Sequence, residues 1–329
     1  MLAATAPIPV HRSHLARHLV RPRGAWVRRA EVVMGVAIRV ELWSDDNRQG
    51  EAAAAAVLAE MHRIDRAMSP HKIGSEVALI NREAARRAVP LSDEMAALIG
   101  RALDYARLSG GAFDISGAAA LRRDETRRAQ RPEVALLAAA RSAAGWPQLD
   151  FDSGRATLRF ARPGLRIDLG GFARGHALDC AAALLRRRGI AHAWIGAGGD
   201  LRVVGDRRGR PWRLAIPDAR QAGEGAAVAV LPLADVAVAI SDGAEREADG
   251  EGAQGQPGAG DGGAGRRPPR SVTILAEDGL AAAAWSQAVY ALGAERGLAL
   301  LAAQRGVEAV IVDGDGRLHA SAALQPLAA

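Results

Sequence analysis

The sequence predicts a mixed α/β fold rather than a doubly wound parallel sheet. Strand-like and helix-like segments interleave along the chain, but without the steady alternation that βαβ units need. Apolar residues make up 49% of the 329 residues, enough for a sizeable core without disulfides or metal staples. Aromatics are only 4%, so that core must be packed mainly from Ala, Leu and Val. No internal repeat is evident.

Taken in order, residues 1–25 read as a loose tail and 26–329 as one domain. Apolar alternation over 31–43 predicts a strand. The stretch 47–69 is strongly helical, with Leu58, Met61, Ile64 and Met68 at helical spacing. Ser75 is placed to cap a short helix beginning near Glu76, and Ser92 precedes a longer helix that stops at the Gly110-Gly111 pair. Residues 121–145, rich in Arg and Ala, predict another helix. "ATLRFARPGLRIDLGG" predicts a strand pair turning at Pro163-Gly164, followed by a helix over about 172–188 that ends at Gly189. "AHAWIGAGGDLRVVG" returns to strand with a glycine-rich break, and "PWRLAI" and "VAVAIS" add further strands.

Composition then changes sharply. Residues 243–265 contain nine glycines and no apolar residue larger than Ala, too little apolar surface to offset the entropy of ordering. This predicts a low-complexity surface insertion over about 243–268. Beyond it come a strand at "SVTILA", a helix around 279–304 and a last strand in "VEAVIVDGDG", turning at its Asp-Gly pairs.

Charge and cysteine use narrow the function. The 43 basic residues include one lysine, Lys72, and the net charge is only +6. Arginine is spread along the whole chain rather than gathered in a stripe, which argues against nucleic-acid binding. One cysteine, Cys180, excludes an internal disulfide. The basic N-terminus lacks a continuous apolar core, and the Arg28-Arg29 pair is followed by a run broken by Glu31, Arg39 and Glu41. No run of about 18 uncharged apolar residues predicts a transmembrane helix. A soluble, cytoplasmic protein is the expectation.

Three glycine-acid segments stand out. In "SGGAFDIS" (109–116), Asp114 follows a glycine turn, where it either meets a ligand or caps the next turn. In "IDLGGFARGHALD" (167–179), Asp168 precedes Gly170-Gly171 and a helix start. That arrangement suits phosphate, since a helix N-terminus offers unpaired N–H groups and a positive dipole end, and Arg174 sits in the first turns. An N-cap or a structural ion pair is the plainer reading. "GAGGDL" (196–201) repeats the glycines with Asp200, or is merely a bulge. "LGGFARG" does not fit G-x-G-x-x-G, no Walker Lys-Ser/Thr follows, and there is no G-x-S-x-G elbow. The eight histidines are scattered without H-E-x-x-H spacing, and a single cysteine makes a zinc cluster implausible.

Taken together and in order, these segments resemble the bacterial FAD:protein FMN transferase family, the ApbE-like flavin transferases. The resemblance runs from about 34 to 320 and rests on "MG" (34–35), "SEVALIN" (75–81), "GAFD" (111–114), "IDLGGFARGHALD", "GGD" (198–200) and "PW" (211–212). It continues in "AIS" (239–241), "SVTILA" (271–276) and "AWSQAVYALG" (284–293). It implies an α+β, T-fold-related architecture and a magnesium-dependent transfer of FMN from FAD to a threonine of an acceptor flavoprotein, with release of AMP. By motif position it implies FAD contacts from Met34, His71, Ala112, Phe113, Asp114, Asp168 and Arg174, and metal contacts from the Gly171 carbonyl and Ser286. His71 stands where a tyrosine is common, and Arg174 where a lysine is usual. Family members are often exported, which leaves a periplasmic location open beside the cytoplasmic one.

Two departures concern the metal. The late helix of the family reads A-D-A-x-S-T-A, whose Asp and Thr ligate magnesium. Here Ala283 and Gln287 occupy those positions. The His-x-x-Asp-Pro segment expected between "AIS" and "SVTILA" is missing, since 242–270 contain no histidine, and the tyrosine before Glu-Arg is lost in "AER" (244–246). A transferase with a modified metal site, where waters or Asp242 supply ligands, is one reading; a paralogue that binds flavin nucleotide without turnover is the other.

Overall fold

A computed structural model describes residues 24–116, 145–217, 227–242 and 267–324. The predicted tail up to residue 23, the helix expected over 121–145 apart from Gly145, and most of the 243–268 insertion lie outside the described residues.

The apolar alternation over 31–43 folds as a hairpin and not as one strand. β1 (Ala25–Val33) pairs antiparallel with β2 (Val36–Ser44), and Val33 lies opposite Val36 across a two-residue turn. That turn is Met34-Gly35, with φ of 56° and 75°. Two positive φ values match strand twist, but a side chain at the first position is strained. α1 (Asn47–Met68) follows, its first amides capped by Asp46, and it buries Val57, Met61, Ile64 and Met68. The Ser75 and Ser92 hydroxyls cap α2 (Glu76–Glu83) and α3 (Asp93–Leu108) as the sequence predicts. β3 (Val89–Pro90), β4 (Leu149–Asp152) and β5 (Thr157–Phe160) form a small separate sheet. The strand pair expected around Pro163-Gly164 is therefore half right, because residues 161–169 run without strand pairing into α4 (Gly170–Arg187).

Next come β6 (Ala193–Ala197) and β7 (Asp200–Val204), joined tightly through Gly198-Gly199, so this glycine pair is a hairpin turn and not a bulge. β8 (Trp212–Pro217) pairs with β9 (Ala227–Leu233) as a separate ribbon. β10 (Ala237–Asp242) and β11 (Ser271–Ala276) pair across the 243–270 interval. The single helix expected over 279–304 breaks at Gly293, φ 79°, into α5 (Gly279–Leu292) and α6 (Ala294–Leu301). β12 (Val307–Val312) and β13 (Leu318–Ala320) close the chain.

The main sheet has the order β1-β2-β6-β7-β10-β11-β12-β13, antiparallel at every step. Period-2 alternation divides its side chains between two cores. Ile38, Val40, Ile195, Ile274 and Ile311 meet the helices on one face, and Leu201, Val203, Val238 and Val310 meet the β8–β9 ribbon on the other. On the helical face α4 crosses α5 at two glycines. A Cβ on Gly175 would collide with the Gly279 carbonyl oxygen, and one on Gly279 with the Gly175 carbonyl oxygen, so only glycine permits this approach.

Candidate functional site

One end of the main sheet gathers the features singled out in the sequence. The Gly198-Gly199 turn hydrogen-bonds the β2 strand through Gly198 N–H to the Ala37 carbonyl, close to the Met34-Gly35 turn. Asp200 opens β7 beside them, and the last residues of β10 join α5 through the Ser241 hydroxyl, which donates to Ser286 Oγ at 3.1 Å. α4 begins here with Gly170 and Gly171.

Asp168 enters this edge from an unusual support. Asn81 on α2 reads both backbone groups of the residue before it: its Nδ2 donates to the Ile167 carbonyl at 2.8 Å and its Oδ1 accepts from the Ile167 N–H at 2.7 Å. The Asp168 N–H donates to the Ile115 carbonyl at 2.8 Å. A stretch with no ladder of its own is thereby held on both sides. Asp168 Oδ1 then accepts from Gly170 N–H at 3.0 Å, and Leu169, at the N-cap position of α4, supplies no capping side chain. Asp168 rather than Leu169 thus caps the start of α4, and its negative charge is one the helix dipole favours.

Arg174 lies one turn into α4, with its side chain 13% exposed. Its Nε donates to Asp200 Oδ2 at 3.1 Å, while Asp200 Oδ1 accepts from the Ile240 N–H at 3.2 Å. Burial pushes the Asp200 carboxyl above its usual range, and Arg174 pulls it back down. The pairing orients the guanidinium. A Cβ placed on Gly171 would sit 3.5 Å from Arg174 Nη2 and 3.2 Å from Gln287 Nε2, so glycine leaves both donors room beside the helix start.

The remaining expected contacts are spread around this edge. Phe113 is 2% exposed and stacks in an aromatic group with Tyr105, Phe172 and Trp285. Its ring serves the junction of α3, α4 and α5. Asp114 spends Oδ1 on the Ser116 N–H and hydroxyl, and Oδ2 on the Trp146 N–H at 2.9 Å, in line with the plainer turn-capping reading. Burial nonetheless raises its carboxyl. Ala112 follows the two left-handed glycines and is half-buried against the core. Met34 packs partly against the core from its strained turn, and His71 is exposed in the loop after α1.

Sequence reasoning did not assign Asn81 a role. Its partner lies 86 residues away, so although Asn81 closes the "SEVALIN" segment, nothing local assigns it this bond.

The residues implied for magnesium do not fit the ion. Magnesium takes hard oxygen donors, usually with at least one carboxylate. Ser286 is 2% exposed, and its hydroxyl donates to the Ala283 carbonyl one turn back while accepting from Ser241. Ala283 presents a buried methyl to the Gly175 crossing, and Gln287 brings an amide nitrogen to Gly171.

The ApbE family profile matches residues 34–311. The chain belongs to the ApbE family. A FAD:protein FMN transferase of Rhodobacter capsulatus is 32% identical over 306 residues, 88% of this chain but 56% of that protein, so the chain spans little more than half of that relative. A FAD:protein FMN transferase of Treponema pallidum is 28% identical over 322 residues, covering 90% of this chain and 87% of that one. Among solved structures, the ApbE protein of Thermotoga maritima superposes with a TM-score of 0.79 at 26% identity, over 93% of this chain and all of that one. The flavin transferase ApbE of Vibrio cholerae gives 0.74 at 21% identity over 92% and 99%, a likeness of fold. The α+β, ApbE-like architecture expected from the motifs is the one found.

Proposed function

We propose that this protein is a FAD:protein FMN transferase, moving FMN from FAD to a threonine hydroxyl of an acceptor flavoprotein and releasing AMP. The threonine oxygen bonds to the phosphorus of the FMN half. The bond from that phosphorus to the bridging pyrophosphate oxygen breaks, AMP leaves with the oxygen, and the hydroxyl proton is lost. Such a transfer is governed by positioning and by stabilising charge on the phosphoryl oxygens.

One observation carries the reading. Within the family-matched segment, the start of α4, the Asp168 carboxylate that caps its Gly170 N–H and a guanidinium anchored by Asp200 lie at one sheet edge. The N–H groups of α4 and Arg174 suit the pyrophosphate, and Asp168 suits a hydroxyl or ring N–H of the nucleotide. Met34, His71 and the 112–114 turn belong to the same proposed flavin pocket, the last through its backbone more than through Phe113. In relatives that use magnesium, the ion would neutralise phosphoryl charge; here the guanidinium and the helix dipole take that part.

The test is incubation with FAD and an acceptor protein carrying an Asp-x-x-Ser/Thr-x-Thr segment, with magnesium and, separately, with EDTA. Mass spectrometry is expected to show an FMN adduct on the threonine. FAD binding by fluorescence quenching with no adduct in either condition would overturn the transferase reading and leave nucleotide binding alone.

A further inference from the structure

A second group of chemically active side chains lies on the flank of α4 that meets α1 and α3, and the flavin reading makes no use of it. His176 and Cys180 stand one turn apart on α4, so both project from one face. Glu94, in the first turn of α3, reaches across to them. His176 Nε2 is 2.7 Å from Glu94 Oε1 and 3.5 Å from Cys180 Sγ, and the three donor atoms all lie within 4.8 Å of one another. Tetrahedral coordination at zinc bond lengths separates ligand atoms by roughly 3.3–3.8 Å, so small rotamer adjustments bring these three onto one ion.

We propose that Glu94, His176 and Cys180 form a site for a borderline-soft divalent transition metal such as zinc, with a fourth position left to water. Imidazole and thiolate select such ions over magnesium and calcium. Arg63 on α1 holds the carboxylate through both oxygens, Nη1 donating to Glu94 Oε2 and Nη2 to Oε1, each at 2.7 Å; this fixes the carboxylate plane, and Oε1 must exchange its Arg63 bond for the ion or share itself between them. Outer partners of this kind commonly orient metal-binding carboxylates.

The charged groups facing the site are Arg63 and Glu60 from α1, Glu94 from α3 and Asp179 from α4. Burial, reinforced by Glu60 and Glu94, pushes the Cys180 thiol up to about 11. Metal binding must therefore expel the thiol proton to water, so affinity rises with pH.

Cobalt(II) is the probe, added to the purified full-length chain. Because Cys180 is the only cysteine, any thiolate-to-cobalt charge-transfer band reports this residue. The expected result is one equivalent of cobalt giving that band, its displacement by zinc, and tighter binding at higher pH. Cys180→Ser is expected to abolish the band with FAD binding and far-UV dichroism unchanged, and His176→Gln to weaken cobalt binding by about tenfold or more. Absence of a charge-transfer band in the wild-type chain across pH 6–9 overturns the proposal, as does an unchanged cobalt affinity in His176→Gln. Neither outcome bears on the flavin reading, which has its own adduct assay.

Discussion

Asn81→Ala tests whether Asp168 is placed by a remote support or by its own helix. Asn81 supplies both hydrogen bonds to the Ile167 backbone, at 2.7 and 2.8 Å, and Ile167 is fully buried. A buried backbone group left without a partner costs about 1–3 kcal/mol, so losing two costs roughly 2–6 kcal/mol before relaxation. Entry of water into the space vacated by the amide offsets part of this, which gives an expected loss of about 3 kcal/mol. For a chain of this size that is a fall of roughly 6 °C in melting temperature.

The same change loosens residue 168, so FAD affinity is expected to fall about tenfold, equivalent to 1.4 kcal/mol of lost preorganisation. Asn81→Asp separates the two bonds: it keeps an acceptor for the Ile167 N–H and sets a carboxylate against the Ile167 carbonyl. Its stability is expected to fall at least as far as that of the alanine variant. The measurements are urea titration and FAD fluorescence quenching on both variants. A loss under about 0.5 kcal/mol with unchanged FAD affinity would refute the idea that α2 positions this edge.

Four other outcomes follow from the geometry. Gly175→Ala sets a methyl against the Gly279 carbonyl at a backbone crossing, so it is expected to cost about 3 kcal/mol or more by denaturant titration; a neutral result would mean that the helices slide apart freely. Arg202 is 6% exposed and its Nε lies 3.7 Å from an Asp179 carboxylate oxygen, so Arg202→Met leaves a largely buried carboxylate without its ion-pair partner and is expected to lower the melting temperature. Ala283→Asp with Gln287→Thr buries a carboxylate at the crossing; its melting temperature is expected to fall in EDTA and recover with magnesium, where the wild type responds to neither. Arg63 holds the Glu94 carboxyl down to about 2, so its stabilisation is full above the ordinary value of 4.5 and is lost as pH falls from there toward 2. The Glu94 side chain is 29% exposed and solvent screens part of the pair, so Glu94→Gln is expected to cost about 1 kcal/mol at pH 7, with the difference from wild type vanishing near pH 2 in acid titrations.

What the sequence discloses of this fold is what local chemistry controls. Ser75 and Ser92 announce helices because a hydroxyl three residues ahead of an amide caps it wherever the rest of the chain lies. The Met34-Gly35 turn is hidden because a methionine at φ 56° violates the preference that makes hairpin turns recognisable, and the apolar alternation continues through it. Gly293 breaks a helix whose apolar pattern does not change on either side, so composition alone extends the helix past it. At the candidate site, Asp168, Gly171 and Arg174 are visible as a motif, whereas Asp200 gains its meaning only when β7 brings it 3.1 Å from Arg174. Asn81 is invisible for the same reason, since its hydrogen bonds join residues 86 apart.

The two sides of the site have changed to different extents, and the packing shows why they can change separately. Asp168, Gly170 and Arg174 are held by α2, the 115 backbone and β7, all on the sheet side of α4. Positions 283, 286 and 287 belong to α5, which reaches this edge through the Gly175–Gly279 crossing and the Ser241–Ser286 bond. A carboxylate at 283 would lie buried against that crossing, where only a bound cation repays its desolvation. A methyl carries no such debt, and it packs the crossing whether or not an ion is present. An alanine at 283 therefore leaves the scaffold that orients Arg174 unchanged. On the transferase reading proposed above the consequence is electrostatic: one guanidinium supplies less positive potential than a dication, so stabilisation of transition-state charge is where alanine at 283 and glutamine at 287 should tell most.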